Sequence, residues 1–99
     1  MINEAEKMLK QLGERLRDAR LSRNESQEIF AQRLGISRQS LAKMEQGYQQ
    51  TPIGNWLAAS SILEMLDGWR DVLVAQENLF AQFEREQSRR QRAGGRRSK

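Results

Sequence analysis

Residues 30–47 read FAQRLGISRQSLAKMEQG, and this stretch decides the fold. It contains two short amphipathic patterns separated only by the tripeptide Gly-Ile-Ser at 35–37. Gly35 adopts a positive φ at little cost, so it can end the first pattern and let the chain reverse. Ser37 is a good N-cap for the second pattern. The stretch therefore predicts two short helices joined by a tight turn, over residues 27–34 and 38–46.

The sequence on either side predicts further helices and no strands. Asn3 followed by Glu6 matches a capping box at the start of a first helix, which Asn24 can end. Thr51 and Pro52 can start a fourth helix. Each of these two helices has apolar residues at three- and four-residue spacing, which predicts one inward side. They are Ile2, Ala5, Met8, Leu9, Leu12 and Leu16 in the first, and Trp56, Leu57, Ala59, Ile62, Leu63 and Leu66 in the fourth.

A further apolar stripe follows the break that Asp67 and Gly68 mark. Its spacing predicts a C-terminal amphipathic helix over residues 67–87, after a domain over residues 1–66. We predict that this helix forms a homodimer surface, and the alternative is that it folds back to complete the core of its own chain. The candidate dimer residues are Trp69, Val72, Leu73, Leu79, Phe80 and Phe83.

The positive charge of the chain is concentrated at its C-terminal end. The net charge is +4, but residues 88–99 carry six basic groups and no acidic one, so residues 1–87 sum to −2. A segment of this composition is predicted to be a disordered basic tail. Any nucleic-acid binding by the rest of the chain must therefore come from a few placed side chains rather than from bulk charge.

Several classes of function are disfavoured by what the sequence lacks. It has no His, no Cys and no glycine-rich phosphate loop, so we expect no enzyme, no metal site and no cofactor. The longest apolar run is too short to span a bilayer, and the N-terminal residues MINEAEKMLK lack the apolar centre of a signal peptide. We therefore expect a cytoplasmic protein that does not bind membranes.

A specific set of residues surrounds the predicted turn. It comprises Gln27, Ala31, Gly35, Ile36, Leu41 and the tripeptide EQG at 45–47, with Arg20 and Pro52 outside it. At these spacings the set resembles the helix-turn-helix of the Cro/C1-type family, also called XRE-like, over about residues 12–66. The resemblance implies a compact all-α domain of four to five helices that binds double-stranded DNA. Glu25, where the family has an apolar residue, and Ile29, which is apolar on an exposed side, depart from the pattern.

The helix over 38–46 has two different sides. Leu41 and Met44 face inward, so polar residues occupy the outer side. By the resemblance, this side enters the major groove, where Arg can hold guanine and Gln can hold adenine through two hydrogen bonds. The expected base-reading residues are Arg38, Gln39, Ala42 and Lys43, with a phosphate contact as the alternative for Lys43. The expected phosphate contacts are Gln27, Ser37, Gln46 and Tyr48, although Ser37 has an alternative role as a cap and Tyr48 as a packed loop residue.

The resemblance also implies a pair between Arg20 and Glu45 that ties the first helix to the end of the third. We expect this pair to be structural, because breaking a partly buried pair leaves an uncompensated charge. Arg33 is expected to be an exposed helper or a solubilising residue.

The function that these features imply is sequence-specific transcriptional regulation. We expect a repressor that binds a palindromic operator as a homodimer, because one reading helix covers only a few base pairs. The alternative is the antitoxin of a toxin–antitoxin pair, which would hold a toxin protein through the C-terminal helix or tail and regulate its own operon. The tail over 88–99 could follow DNA phosphates, bind an acidic protein or improve solubility, and we favour the first.

Overall fold

The computed structural model describes residues 3–76 and 81–89, and within these ranges every regular element is helical. The elements are α1 (Glu4–Ser22), α2 (Gln27–Leu34), α3 (Arg38–Glu45), α4 (Ile53–Ile62) and a 3₁₀ turn over Leu66–Trp69. Residues 81–89 are also helical. The chain divides into two compact units, Met1–Asp67 and Gly68–Lys99. The predicted all-α class of four to five helices is therefore confirmed.

Short polar side chains begin the first three helices. The Oδ1 atom of Asn3 accepts a hydrogen bond of 2.8 Å from the backbone N–H of Glu6. Ser26 and Ser37 cap α2 and α3 in the same way. Each cap satisfies a backbone donor that has no partner within the helix, which fixes the residue at which the helix starts.

The same three helices end in left-handed residues, which are Asn24 (φ 57°), Gly35 (φ 75°) and Gly47 (φ 81°). At each end the left-handed residue donates its N–H to the carbonyl three residues earlier, and the next residue donates to the carbonyl five residues earlier. This is the Schellman arrangement, and it satisfies carbonyl groups at the helix end while turning the chain sharply. It explains how α1, α2 and α3 follow one another with very short connections.

The core of the first unit lies where α3 packs on α1 and α2, and where α2 packs on α4. Its buried apolar side chains are Leu16, Phe30, Ala31, Leu41, Met44, Trp56 and Ala59. Gly13 allows α1 and α3 to approach closely, because a Cβ atom there would lie 2.5 Å from the carbonyl oxygen of Glu45. The backbones of α1 and α3 are therefore in direct contact, which requires glycine at this position.

The predicted inward stripe of α1 is only partly correct. The buried residues of α1 are Gly13, Leu16 and Arg20, whereas Ala5 and Met8 are exposed. Leu9 and Leu12 are half-buried, and Ile2 lies outside the described residues. The reason is that α1 is 19 residues long and its first turns extend beyond the residues that pack on α3.

The fourth helix is shorter than predicted. It ends at Ile62 because Glu64 is left-handed, with a φ of 60°. The N–H groups of Glu64 and Met65 bond to the carbonyls of Ser61 and Ser60, so the Schellman arrangement is repeated without a glycine or asparagine. The exposed Leu57 also departs from the predicted stripe, in which only Trp56 and Ala59 are buried.

The prediction of one continuous helix from Trp69 onward is wrong. After the 3₁₀ turn, residues 70–73 form turns, and Leu73 is left-handed with a φ of 69°. Val72 and Val74 donate to the carbonyls three residues earlier, so this segment is a series of tight turns. Apolar residues three positions apart lie on the same side in such turns as well as in an α-helix. The spacing of apolar residues alone therefore does not distinguish these turns from an α-helix. Helical structure also continues to residue 89, past the predicted boundary at 87, since arginine is a good helix former.

Candidate nucleic-acid interface

The third helix presents one buried and one exposed side. Leu41 and Met44 are completely buried. The predicted base-reading residues Arg38, Gln39 and Lys43 are exposed, as is Gln46, and Ala42 is half-buried. A helix that is fixed by one side and exposes polar groups on the other has the shape that a DNA major groove admits.

The buried side is locked to α1 by an ion pair. The Nε atom of Arg20 donates to Oε2 of Glu45 at 2.7 Å, and its Nη2 atom donates to Oε1 at 3.1 Å. Both side chains are almost fully buried, at 7% and 4% exposure. The Nη1 atom of Arg20 donates to the backbone carbonyl of Glu25 at 2.8 Å, so the guanidinium also holds the turn between α1 and α2. This two-point geometry is the strongest form of a carboxylate–guanidinium contact.

The hydrogen bonds that Arg20 donates to Glu45 raise the pKa of Arg20 above its ordinary value, despite the opposing effect of burial. A cation with a raised pKa in the folded state stabilises the fold at every pH below its unfolded value. The contribution is lost only as the pH rises through the folded pKa. Arg20 therefore stays charged and paired throughout the ordinary pH range.

Gln27 connects this buried pair to the exposed side of α3. Its Nε2 atom donates to Oε1 of Glu45 at 3.0 Å, and its Oε1 atom accepts from Nη1 of Arg38 at 3.1 Å. An ionised carboxylate only accepts hydrogen bonds, so Glu45 fixes the orientation of the amide and turns its oxygen toward Arg38. The chain of contacts therefore positions Arg38 from within the core.

The remaining predicted contacts lie near the two ends of α3. The hydroxyl of Ser37 accepts from the N–H of Ser40 at 3.0 Å and donates to Oγ of Ser40 at 2.9 Å, so its role as a cap is observed. The Nζ atom of Lys43 lies 5.1 Å from the centre of the Tyr48 ring. Gln46 follows the last residue of α3 and is exposed.

A groove of about 310 Å³ runs between α1 and α3. The sequence analysis assigned no DNA contact to the α1 side of this groove. It is lined by Glu14, Arg17, Gln27, Ala42, Glu45 and Gln46. Arg17 is exposed, and it brings a guanidinium to the same groove as the predicted contact Gln27. Its position three residues before Arg20 was the available signal, because residues at that spacing share a side of a helix.

Ion pairs accommodate Glu25, which occupies a position where the family usually has an apolar residue. Its carboxylate is paired with the guanidinium of Arg33, and the Nε atom of Arg23 lies 4.0 Å from the same oxygen. Arg33 is exposed, as expected, and it is also an ion-pair partner of the α1–α2 turn. The second carboxylate oxygen, Oε2, is buried and has no hydrogen-bond partner within the described ranges.

Four of the six candidate dimer residues lie in the described ranges, and three of these four are at the surface. Val72, Leu73 and Phe83 are exposed at 49%, 99% and 59%, and Trp69 is half-buried. Residues 70–73 form turns. Trp69, Val72 and Leu73 therefore do not belong to the same α-helix as Phe83. Leu79, Phe80 and residues 90–99 of the tail lie outside the described residues.

Neither a metal site nor a membrane-spanning helix is present in the part of the chain that the structure describes. No cluster of His, Cys, Asp or Glu side chains in residues 3–76 and 81–89 is arranged to bind a metal ion. None of the helices described has the length and apolar character needed to cross a bilayer.

Comparison with known proteins identifies the family. Residues 11–72 match the family described as "Helix-turn-helix domain", which accounts for more than half of the chain. Searches of curated proteins and of solved structures found no match. The matched range contains all of α2, α3 and α4 and the ion pair that joins α1 to α3. The chain belongs to this helix-turn-helix family, which is of the XRE/Cro kind.

Proposed function

We propose that the protein is a sequence-specific transcriptional regulator that reads the major groove of double-stranded DNA with α3. The observation that carries this proposal is the Glu45–Gln27–Arg38 chain of hydrogen bonds. It holds an exposed guanidinium at the start of α3, which is the end of a recognition helix that contacts base edges.

Two residues in the first turn of α3 supply the base readout. Arg38 presents the planar donor fork that matches the O6 and N7 atoms of guanine, and Gln39 offers the donor and acceptor pair that matches adenine. Ala42, one turn further along, is small and half-buried, which suits close contact with a thymine methyl group. Neighbouring phosphates are bound by Gln27, Arg17 and Gln46. Gln27 has a second amide N–H beyond the one that Glu45 accepts.

A homodimer acts on a palindromic operator, with one α3 helix in each half-site. The supporting observation is the exposure of Val72, Leu73 and Phe83, because large apolar side chains at a surface favour a protein contact. Repression follows from occupancy of the operator. The basic residues of the tail add affinity for phosphates that depends on salt.

The experiment that tests this function is sequence selection from random duplex DNA, followed by a salt titration on the selected sequence. We expect a palindromic consensus with half-sites about one helical turn apart. Salt-sensitive binding without a consensus would show that the tail dominates and would contradict the proposal. Deleting residues 88–99 should flatten the salt dependence while leaving the sequence preference unchanged.

A second measurement tests the homodimer. Size-exclusion chromatography with light scattering should give the mass of two chains at micromolar concentration. A monomer at that concentration would overturn the homodimer. The same exposed apolar residues would then favour the antitoxin role, in which a toxin protein covers them. Co-purification with the product of a neighbouring gene would distinguish that role.

A further inference from the structure

Tyr48 is fixed beside Lys43 by the backbone at the end of α3. The N–H of Gly47 donates to the carbonyl of Met44 at 3.0 Å, and the N–H of Tyr48 donates to the carbonyl of Lys43 at 2.9 Å. In this Schellman arrangement the residue after the left-handed glycine lies against the third-last residue of the helix. The contact between the Lys43 ammonium and the Tyr48 ring is therefore a consequence of how α3 ends, and both side chains remain exposed.

We propose that Tyr48 is a positioning residue that holds the Lys43 ammonium for a DNA phosphate. Lys43 then contributes affinity that depends on salt and no base preference, which revises its expected role in base reading. This inference rests on the proposed function of α3. It divides α3 into a reading end at Arg38 and Gln39 and an anchoring end at Lys43.

The distribution of charge supports this division. Residues 44–69 contain no Lys and no Arg, so Lys43 is the only positive side chain of the segment that spans the end of α3, the following loop and α4. The loop itself reads QGYQQT at 46–51 and offers only neutral donors to a phosphate backbone. Lys43 is therefore the one cation that this segment itself offers to a DNA strand, and Lys10 of α1 lies beside the same loop at Gly47.

The chemistry of the side chain points the same way. A lysine ammonium is a compact point charge with three donors and lacks the planar fork with which arginine recognises guanine. The ring face occupies one side of the ammonium and leaves the other donors for an anion. Extending Lys43 to a base edge would break the contact with the ring. For an exposed cation–π pair this loss corresponds to about a two- to five-fold effect on binding.

The test uses four variants of the full chain, which are Lys43→Ala, Tyr48→Phe, Tyr48→Leu and the double variant Lys43→Ala/Tyr48→Leu. Binding is measured by fluorescence anisotropy on the selected duplex and on duplexes with single base-pair changes, at salt concentrations of about 50 to 200 mM. Thermal melting confirms that each variant folds. Tyr48→Phe is the matched control, because it keeps the ring face and removes only the hydroxyl.

We expect Lys43→Ala to weaken binding to all duplexes by the same factor and to reduce the salt slope by about 1. Tyr48→Phe should bind like the wild type, whereas Tyr48→Leu should lose about two- to five-fold. Tyr48→Leu should cause no further loss when Lys43 is already absent, since its effect acts through Lys43.

Three results would overturn the inference. A Lys43→Ala variant that loses preference at one base pair would make Lys43 a base reader while leaving the regulator function intact. A Tyr48→Phe variant as weak as Tyr48→Leu would show that the hydroxyl contacts DNA directly. A wild-type protein that selects no sequence would instead remove the proposed function, and this inference with it.

Discussion

The two sides of α3 differ in how firmly their residues are held. On the inner side, Glu45 has buried hydrogen bonds from Arg20 and the backbone of α1 touches α3 at Gly13. On the outer side, Arg38 is exposed, and a hydrogen bond joins its guanidinium to Gln27. If α3 acts as proposed, stability and recognition are separated within a helix of eight residues. Changes on the inner side should therefore unfold the domain, and changes on the outer side should alter binding alone.

The largest expected effect comes from Glu45→Ala. Removing this carboxylate leaves the buried Arg20 charge without its partner, and we expect the free energy of unfolding to fall by about 3–5 kcal/mol. Chemical denaturation measures the change. Glu14→Ala is the matched control, because Glu14 is an exposed helical glutamate whose removal should change stability by less than about 0.5 kcal/mol.

A double variant sharpens this prediction. Replacing both Arg20 and Glu45 by Met removes the uncompensated charge, so it should recover part of the stability that Glu45→Ala loses. If Glu45→Ala instead melted like the wild type but no longer bound DNA, the pair would be part of the recognition surface. The separation of the two sides would then be wrong.

The second effect is on binding and comes from Arg38→Ala. We expect affinity for the selected duplex to fall by about 1–3 kcal/mol, which is roughly 5- to 150-fold, with relaxed preference at one base pair. The melting temperature should not change, because Arg38 is exposed. Equal weakening on every sequence would show that Arg38 contacts a phosphate and would move base reading to Gln39.

The sequence predicted the helix-turn-helix well because its signals there are local. Ser26, Gly35 and Ser37 each act on the nearest backbone groups. The structure begins α2 and α3 at the expected residues and ends α2 as expected, while α3 ends at Glu45, one residue before the predicted Gln46. The end of α4 and the turns near Leu73 were missed, because Glu64 and Leu73 are left-handed although neither is a residue type that favours this conformation. Both side chains are exposed, so no burial pattern in the sequence marks these turns either.

The residues of the candidate interface also divide into features that the sequence predicts and contacts that it does not. Which residues face outward on α3 follows from the positions of Leu41 and Met44, so helical periodicity was sufficient. The link from Glu45 through Gln27 to Arg38 joins residues up to 18 apart in the chain, and no periodicity indicates it. The pairing of Glu25 with Arg33 also joins two segments, the α1–α2 turn and α2, and the spacing of the two residues does not indicate it.

Gln27 tests whether the two sides of α3 are in fact independent. Because it contacts both Glu45 and Arg38, a double-mutant cycle of Gln27→Ala and Arg38→Ala should show a coupling of at least about 0.5 kcal/mol in binding. Isothermal titration on the selected duplex measures the four affinities. Strict additivity would show that Gln27 binds DNA without influencing Arg38. Gln39→Ala in place of Arg38→Ala is the control cycle, and it should show less coupling.

Arg17 extends the outer surface onto α1. It lines the groove that Gln27 and Ala42 also line, so we expect Arg17→Ala to weaken binding equally on all duplexes and to reduce the salt slope by about 1. Arg15→Ala is the matched control, because two residues along a helix place Arg15 on roughly the opposite side of α1. Equal effects of the two variants would indicate a general influence of net charge, and Arg17 would not be a specific contact.

The smallest expected effect is that of Arg33→Ala on the free energy of unfolding. It tests whether the Arg20–Glu45 pair stabilises the domain because it is buried or simply because it is an ion pair. Arg33 and Glu25 form an ion pair like that of Arg20 and Glu45, but their side chains are 42% and 17% exposed. Water screens such a pair, so Arg33→Ala should lower the free energy of unfolding by only about 0.2–1 kcal/mol. Denaturation at low and high salt measures this, and added salt should reduce the difference from the wild type. A loss as large as that of Glu45→Ala would show that ion pairing alone, without deep burial, holds the helices together.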